Sequence, residues 1–121
     1  MVLRMVYKYH NVKTITSDGI EHHSRAEAKR WTQLKLLERA GEIKDLQRQV
    51  KYVLIPSQKE GKKTIERECS YIADFVYTDL RTGQTVVEDV KGYKKGSAYS
   101  LFTIKRKLML WVHNIKVKEV K

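Results

Sequence analysis

The apolar positions of this chain change their spacing several times, and each change marks an element. Behind Ser24-Arg25-Ala26-Glu27, a capping-box signature, the residues Ala28, Trp31, Leu34, Leu36 and Leu37 recur at helical spacing and stop before Gly41, a good helix-terminating residue. From Ile43 to Ile55 the pattern turns extended and closes at Pro56. Residues 57–63 form a polar hairpin loop, and Thr64 to Thr78 reads as one long strand. After the turn at Arg81-Thr82-Gly83 another strand runs from Gln84 to Lys91. Gly92 to Gly96 is a glycine- and lysine-rich break. Ser97 to His113 reads as a second helix, with Phe102, Ile104, Leu108, Met109 and Trp111 as its core residues. Ile115 to Val120 alternates apolar residues with lysine as a half-exposed strand does. At the start, residues 1–10 read as a loose basic arm, Asn11 to Thr16 as a short strand and Ser17-Asp18-Gly19 as a turn.

The order helix, three strands, helix, strand describes an α/β domain: a mixed sheet in which a meander is followed by a crossover helix and a last strand, with helices on its faces. The 121 residues form one domain, 1–121, with room for a single core.

Charge narrows the partners. Twenty-five Lys and Arg against 14 Asp and Glu give a formal charge of +11, which favours a polyanion. Cys69 is the only cysteine, so no intrachain disulfide forms, as suits a reducing cytoplasm. No apolar run is long enough to span a bilayer and the N-terminus lacks a signal-peptide pattern. Gly-rich phosphate loops, zinc-ligand spacings and dinucleotide fingerprints are absent, and Ser24 has no His/Asp partner pattern that would make it a nucleophile.

The candidate chemistry lies at two strand ends. One apolar run, Tyr71-Ile72-Ala73-Asp74-Phe75-Val76-Tyr77, carries an acid, and the next ends in Glu88-Asp89-Val90-Lys91-Gly92. Residues two apart on a strand share a face, so Asp89 and Lys91 project together, and a hairpin brings Asp74 towards them. Two carboxylates and an ammonium on a buried sheet are costly as a purely structural choice, and they are what divalent-metal hydrolysis of a phosphodiester needs. Each residue also has a plainer reading. Asp74 could be a hydrogen-bonded strand acid, and Asp89 with Lys91 an ion pair of little worth. Alternation puts Glu88 on the opposite face, in a supporting role. Glu27 is explained equally by the capping box and by a place in the site. For His22 and His23, a phosphate contact or simple exposure is expected rather than metal ligation.

The stretches Ser24-Arg25-Ala26-Glu27-Ala28, Tyr71 to Tyr77, Val86-Val87-Glu88-Asp89-Val90-Lys91-Gly92 and Ile104-Lys105-Arg106-Lys107-Leu108, in this order, resemble the PD-(D/E)XK nuclease superfamily, and within it a family of small phage-encoded nuclease-like proteins. Ala73 stands where the motif's proline would precede Asp74. The resemblance implies a restriction-endonuclease-like core and a Mg²⁺- or Mn²⁺-dependent endonuclease acting on DNA, branched or otherwise structured DNA included, in a phage-infected bacterial host. It implies that Asp74, Asp89 and the Val90 carbonyl ligate the metal, that Lys91 holds or activates the attacking water, and that Glu27 adds a carboxylate. Lys94, Lys95, Lys105, Arg106 and Lys107 stand next to this site in sequence, where a charge run is either a solvated face or a clamp for phosphates, and a homodimer would suit cutting two strands. The alternatives are a non-catalytic DNA-binding module of a phage replication, recombination or packaging assembly, for which the lysines alone would suffice, and an RNA-directed nuclease of the same fold.

Overall fold

The computed structural model of the protein describes residues 3–6, 12–92 and 94–121. Its centre is a four-stranded mixed sheet built from β4 (Ile43–Ile55), β7 (Cys69–Asp79), β8 (Thr85–Val90) and β9 (Lys118–Val120), in the order β4-β7-β8-β9. The first three strands are antiparallel, and β9 joins β8 in parallel after the helix α2 (Gly96–His113). A parallel neighbour requires such a crossover. The helix α1 (Arg25–Arg39) precedes the sheet. The molecule is therefore α/β, with a mixed sheet and two helices in the expected order.

The two helices cover opposite faces. Trp31 and Leu34 of α1 pack with Ile43, Phe75 and Tyr77. Phe102 and Met109 of α2 pack with Leu54, Tyr71, Ala73, Val76, Val87 and Val117. Phe75 and Val76 thus point to opposite sides, as adjacent strand residues must. Tyr71 and Ala73, however, share a parity with Phe75 and Tyr77 and yet face the other helix. The same switch occurs on β4, where Leu46 packs with the α1 core while Val50, Tyr52 and Leu54 lie on the α2 side. It falls at Gln49, whose φ of 53° is left-handed.

Several sequence expectations are corrected. Residues 3–6 of the expected arm form β1 (Leu3–Val6), which with β2 (Val12–Ile15) and β3 (Glu21–His22) makes a separate antiparallel sheet. The other positions of residues 1–10 lie outside the described residues. The single strand expected over Thr64–Thr78 is broken at Arg67 and Glu68. Its first part, β6 (Lys63–Glu66), pairs with β5 (Gln58–Glu60) in an exposed hairpin where a loop was expected. Leu36 and Leu37 face outward on α1, since the buried stripe runs through Glu27, Ala28, Trp31 and Leu34. Ile104 and Trp111 are exposed on α2. Gly41, at φ 79°, ends α1 as expected. Among the described residues no helix is long and apolar enough to cross a membrane.

Candidate active site

The sheet opens where β7 and β8 part. Their pairing ends at Phe75–Glu88, whereas β8 continues beside β9 through Asp89–Glu119 and Val90–Val120. Val90 N–H, released from the β7 ladder, donates instead to Asp74 Oδ2 at 2.8 Å. The fork leads into an open cleft of about 490 Å³ whose lining includes Glu27, Asp74, Asp89, Val90 and Lys91. Four side chains singled out in the sequence, from α1, β7 and the end of β8, therefore meet in one place.

Each is held by specific partners. Asp89 is buried, and its Oδ2 accepts a 2.6 Å bond from the Tyr71 hydroxyl. Its Oδ1 lies 3.1 Å from Lys91 Nζ, yet it has no partner of hydrogen-bonding geometry. The two form a close ion pair, with Asp89 Oδ1 buried beside the ammonium. Lys91 Nζ also sits 4.3 Å over the Phe102 ring, which fixes the ammonium from below. The plain ion-pair reading of Asp89 and Lys91 is correct as geometry. It does not explain why a third and a fourth charged group share the cleft.

Glu27 is where the two readings of the sequence part. Ser24 Oγ accepts the Glu27 N–H at 3.1 Å, so the cap exists. The Glu27 carboxylate is buried in the cleft: Oε1 accepts from Gln49 Nε2 at 3.1 Å and lies 3.8 Å from His22 Nδ1, while Oε2 lies 3.7 Å from His23 Nδ1. Gln49 Nε2 also reaches Asp74 Oδ1 at 3.4 Å, so one amide ties the carboxylate from α1 to the one from β7.

The electrostatics follow from crowding. Burial, then the charges of Asp89 and Glu27, push the Asp74 carboxyl up to about 7. Burial raises Glu27 as well, opposed chiefly by Arg48. Burial and the nearby Arg48 lower His22 to about 4, which leaves that imidazole neutral at neutral pH. Burial and the bond to Asp89 raise Tyr71, so its hydroxyl stays a donor.

The remaining expectations divide. Glu88 is fully buried on the α1 side, clamped by Arg30 through Nε–Oε1 at 2.8 Å and Nη2–Oε2 at 2.6 Å, with the Tyr77 hydroxyl donating to it too. It joins α1 to the sheet and stays out of the cleft, as alternation predicts. The basic cluster does not form one face. Lys105 lines the cleft, whereas Lys94 and Arg106 are drawn to Glu119, at 3.6 and 3.4 Å. Lys107 is exposed on another side of α2, and Lys95 is exposed at its N-cap.

The sequence reading missed Gln49 and Tyr71 and gave His23 too little weight. Gln49 carries no local signal, because its role depends on a backbone kink. Tyr71, two residues before Ala73 on an apolar strand, reads simply as core. His23 lies four residues before Glu27, so its i,i+4 relation across the helix start was available.

Among the described residues no three His, Cys, Asp or Glu side chains are gathered tightly enough to hold a metal ion by themselves. The donors still suit a hard divalent cation. Asp74 and Asp89 supply carboxylate oxygens, Asp89 Oδ1 lacks a hydrogen bond, and the burial that chiefly raises Asp74, with the repulsion from Asp89 and Glu27 beside it, is what such a cation would offset. Mg²⁺ in particular binds through one or two carboxylates and keeps waters and substrate oxygens for the rest.

Comparison with curated proteins finds no match, and comparison with solved structures finds none. Residues 6–121 match the family model described as "Protein of unknown function (DUF1064)", and the chain belongs to that family.

Proposed function

We propose that this protein is a Mg²⁺- or Mn²⁺-dependent endodeoxyribonuclease with a restriction-endonuclease-like core. The observation that carries the reading is the convergence of Asp74, Asp89, Lys91 and Glu27 at the fork between β7 and β8. The cost of gathering three carboxylates in a partly buried cleft is visible in the raised Asp74. A DNA-binding module would need only cations.

Asp74, Asp89 and the Val90 carbonyl would hold the metal, with Glu27 beside them. When bound, the ion lowers the pKa of a water and stabilises charge on the phosphate. The chain's own groups do the rest. Tyr71 orients the Asp89 carboxylate and the Val90 N–H orients that of Asp74, each through Oδ2. Gln49 fixes the spacing between Glu27 and Asp74. Lys91 presents a preorganised positive charge to the reacting phosphate and positions the attacking water. Lys105, on the α2 rim, contacts a neighbouring phosphate.

The deciding experiment incubates the purified chain with duplex, single-stranded and branched DNA, and with matched RNA, in Mn²⁺, Mg²⁺ or EDTA. The expected result is cleavage of DNA that requires the metal and is lost in Lys91→Ala. Activity that survives chelation overturns the metal, and cleavage of RNA alone overturns the substrate. DNA binding without cleavage under any metal assigns the fold to a binding module.

A further inference from the structure

The solvent side of α2 carries an apolar stripe that runs from the cleft rim at Leu101, past Leu108 at the edge of the core, to Trp111. Leu101, Ile104, Leu108 and Trp111 follow one another at spacings of three, four and three residues. At about 100° per residue they form one stripe, and this is the seam spacing of paired helices. Trp111 is 87% exposed, Ile104 55% and Leu101 53%, while Leu108 is partly buried. The opposite side of α2 is anchored by the buried Phe102 and Met109, and His113 Nε2 lies 2.7 Å from the Val53 carbonyl. A well-fastened helix thus presents an indole and two aliphatic side chains outward, with Leu108 between them packed partly on the core. Contiguous exposed apolar surface of this kind marks an interaction site.

Charge selects the occupant. Lys105 and Lys107 stand on either side of the stripe, about 80° from its centre at helical spacing, where the flanking positions of a helix pair set partner choice. A second copy docking through the same stripe would bring lysine against lysine. DNA phosphates would find apolar carbons between the two cations. We propose that the Leu101–Trp111 stripe is a docking site for an acidic amphipathic helix of a partner protein, one with an apolar seam and Glu or Asp on both flanks. Leu101 and Lys105 also line the cleft, so the bound helix would lie along the cleft's α2 rim. The inference stands whether or not the cleft cleaves DNA.

The test uses the full chain and two synthetic four-heptad peptides, both with Leu at the seam positions, one with Glu and the other with Lys at the flanks. Each peptide repels itself at neutral pH, so pairing reports the protein. Trp31 is buried, so the fluorescence change comes from Trp111. The Glu peptide is expected to bind one-to-one and shift Trp111 emission to shorter wavelength, and the Lys peptide to do neither. Ile104→Ser should weaken binding at least tenfold, and the double change Lys105→Glu/Lys107→Glu should reverse the preference between peptides. No binding of the Glu peptide, or equal binding of both, overturns the proposal. A dimer seen by sedimentation that Ile104→Ser dissociates assigns the stripe to a second copy. A Trp111 shift produced by DNA and abolished by Ile104→Ser assigns it to nucleic acid.

Discussion

Gln49 occupies the position across from Asp74 between β4 and β7, bracketed by the pairs Arg48–Phe75 and Val50–Ala73, and it does so with a left-handed φ of 53° while its amide reaches Asp74 at 3.4 Å. For a residue with a Cβ, that conformation costs roughly 1–2 kcal/mol. The same amide also holds Glu27 at 3.1 Å. The left-handed residue is at once the point where β4 exchanges faces and the point that joins two cleft carboxylates. Gln49→Gly and Gln49→Ala both remove the amide, but only glycine relieves the backbone. The glycine variant should therefore be more stable than the alanine variant by about 1 kcal/mol in denaturant titration, and both should lose at least tenfold in metal-dependent cleavage. Equal stability of the two would mean that the kink is unstrained, and wild-type cleavage would remove Gln49 from the site.

Asp74 should make the protein less stable as pH rises. Its folded value of about 7 lies above its ordinary 3.8, so between those values the folded state binds more protons than the unfolded one. The slope of unfolding free energy with pH is then negative. The contribution is fully present below about 3.8 and is gone above about 7. Asp74→Asn lacks this dependence and keeps an oxygen for the Val90 N–H. Its melting temperature should exceed the wild type's by more at pH 8 than at pH 5, with cleavage lost at both. A constant difference across that range would rule out a raised Asp74.

Divalent metal should offset the same repulsion. Mn²⁺ at a hundred times its dissociation constant stabilises a protein by about 2.7 kcal/mol. Thermal unfolding of the wild type should shift upward accordingly, and Asp89→Asn should abolish the shift while leaving DNA affinity equal or higher. An identical shift in the variant would place the metal elsewhere.

Glu88 and Asp89, neighbours in sequence, should separate cleanly in their effects. Glu88 is fully buried against Arg30. Removing one partner of a buried pair leaves the other unpaired, at a cost of about 3–5 kcal/mol. The lower figure is expected for Glu88→Ala because the Arg30 side chain stays 19% exposed. Calorimetry should show that loss for Glu88→Ala, whereas Asp89→Asn should lose cleavage with little change in melting temperature.

Salt dependence should sort the basic residues. Each duplex phosphate contact contributes roughly 0.9 to the log–log slope of affinity against salt. Lys105→Ala should lower the slope by about that amount, since Lys105 lines the cleft. Arg106→Ala should leave it nearly unchanged, because Glu119 already engages Arg106. Lys91→Ala should stop cleavage with little change in slope. The opposite ordering of Lys105 and Arg106 would mean that DNA enters from another side.

Much of this protein was legible in the chain itself. Helical spacing after a Ser24 cap, extended runs bounded by turn residues, and the acid-x-lysine strand end determined the two helices, the meander, the crossover and the candidates Asp74, Asp89 and Lys91, because these signals are local and repeat at the period of the element that carries them. What only the tertiary structure decided lies where periodicity fails or distance intervenes. The two faces of β4 and β7 exchange at Gln49 and Asp74, so alternation carried across that point assigns Phe75 and Tyr77 to the wrong helix. Lys105, Arg106 and Lys107 are consecutive in the chain and diverge around the helix, so their common charge does not make a common face. Glu27 is equally a capping residue and a site residue on local grounds. Its backbone keeps the cap while its carboxylate is held in the cleft by Gln49, which lies 22 positions away in the chain and is brought to it by the packing of α1 on the sheet.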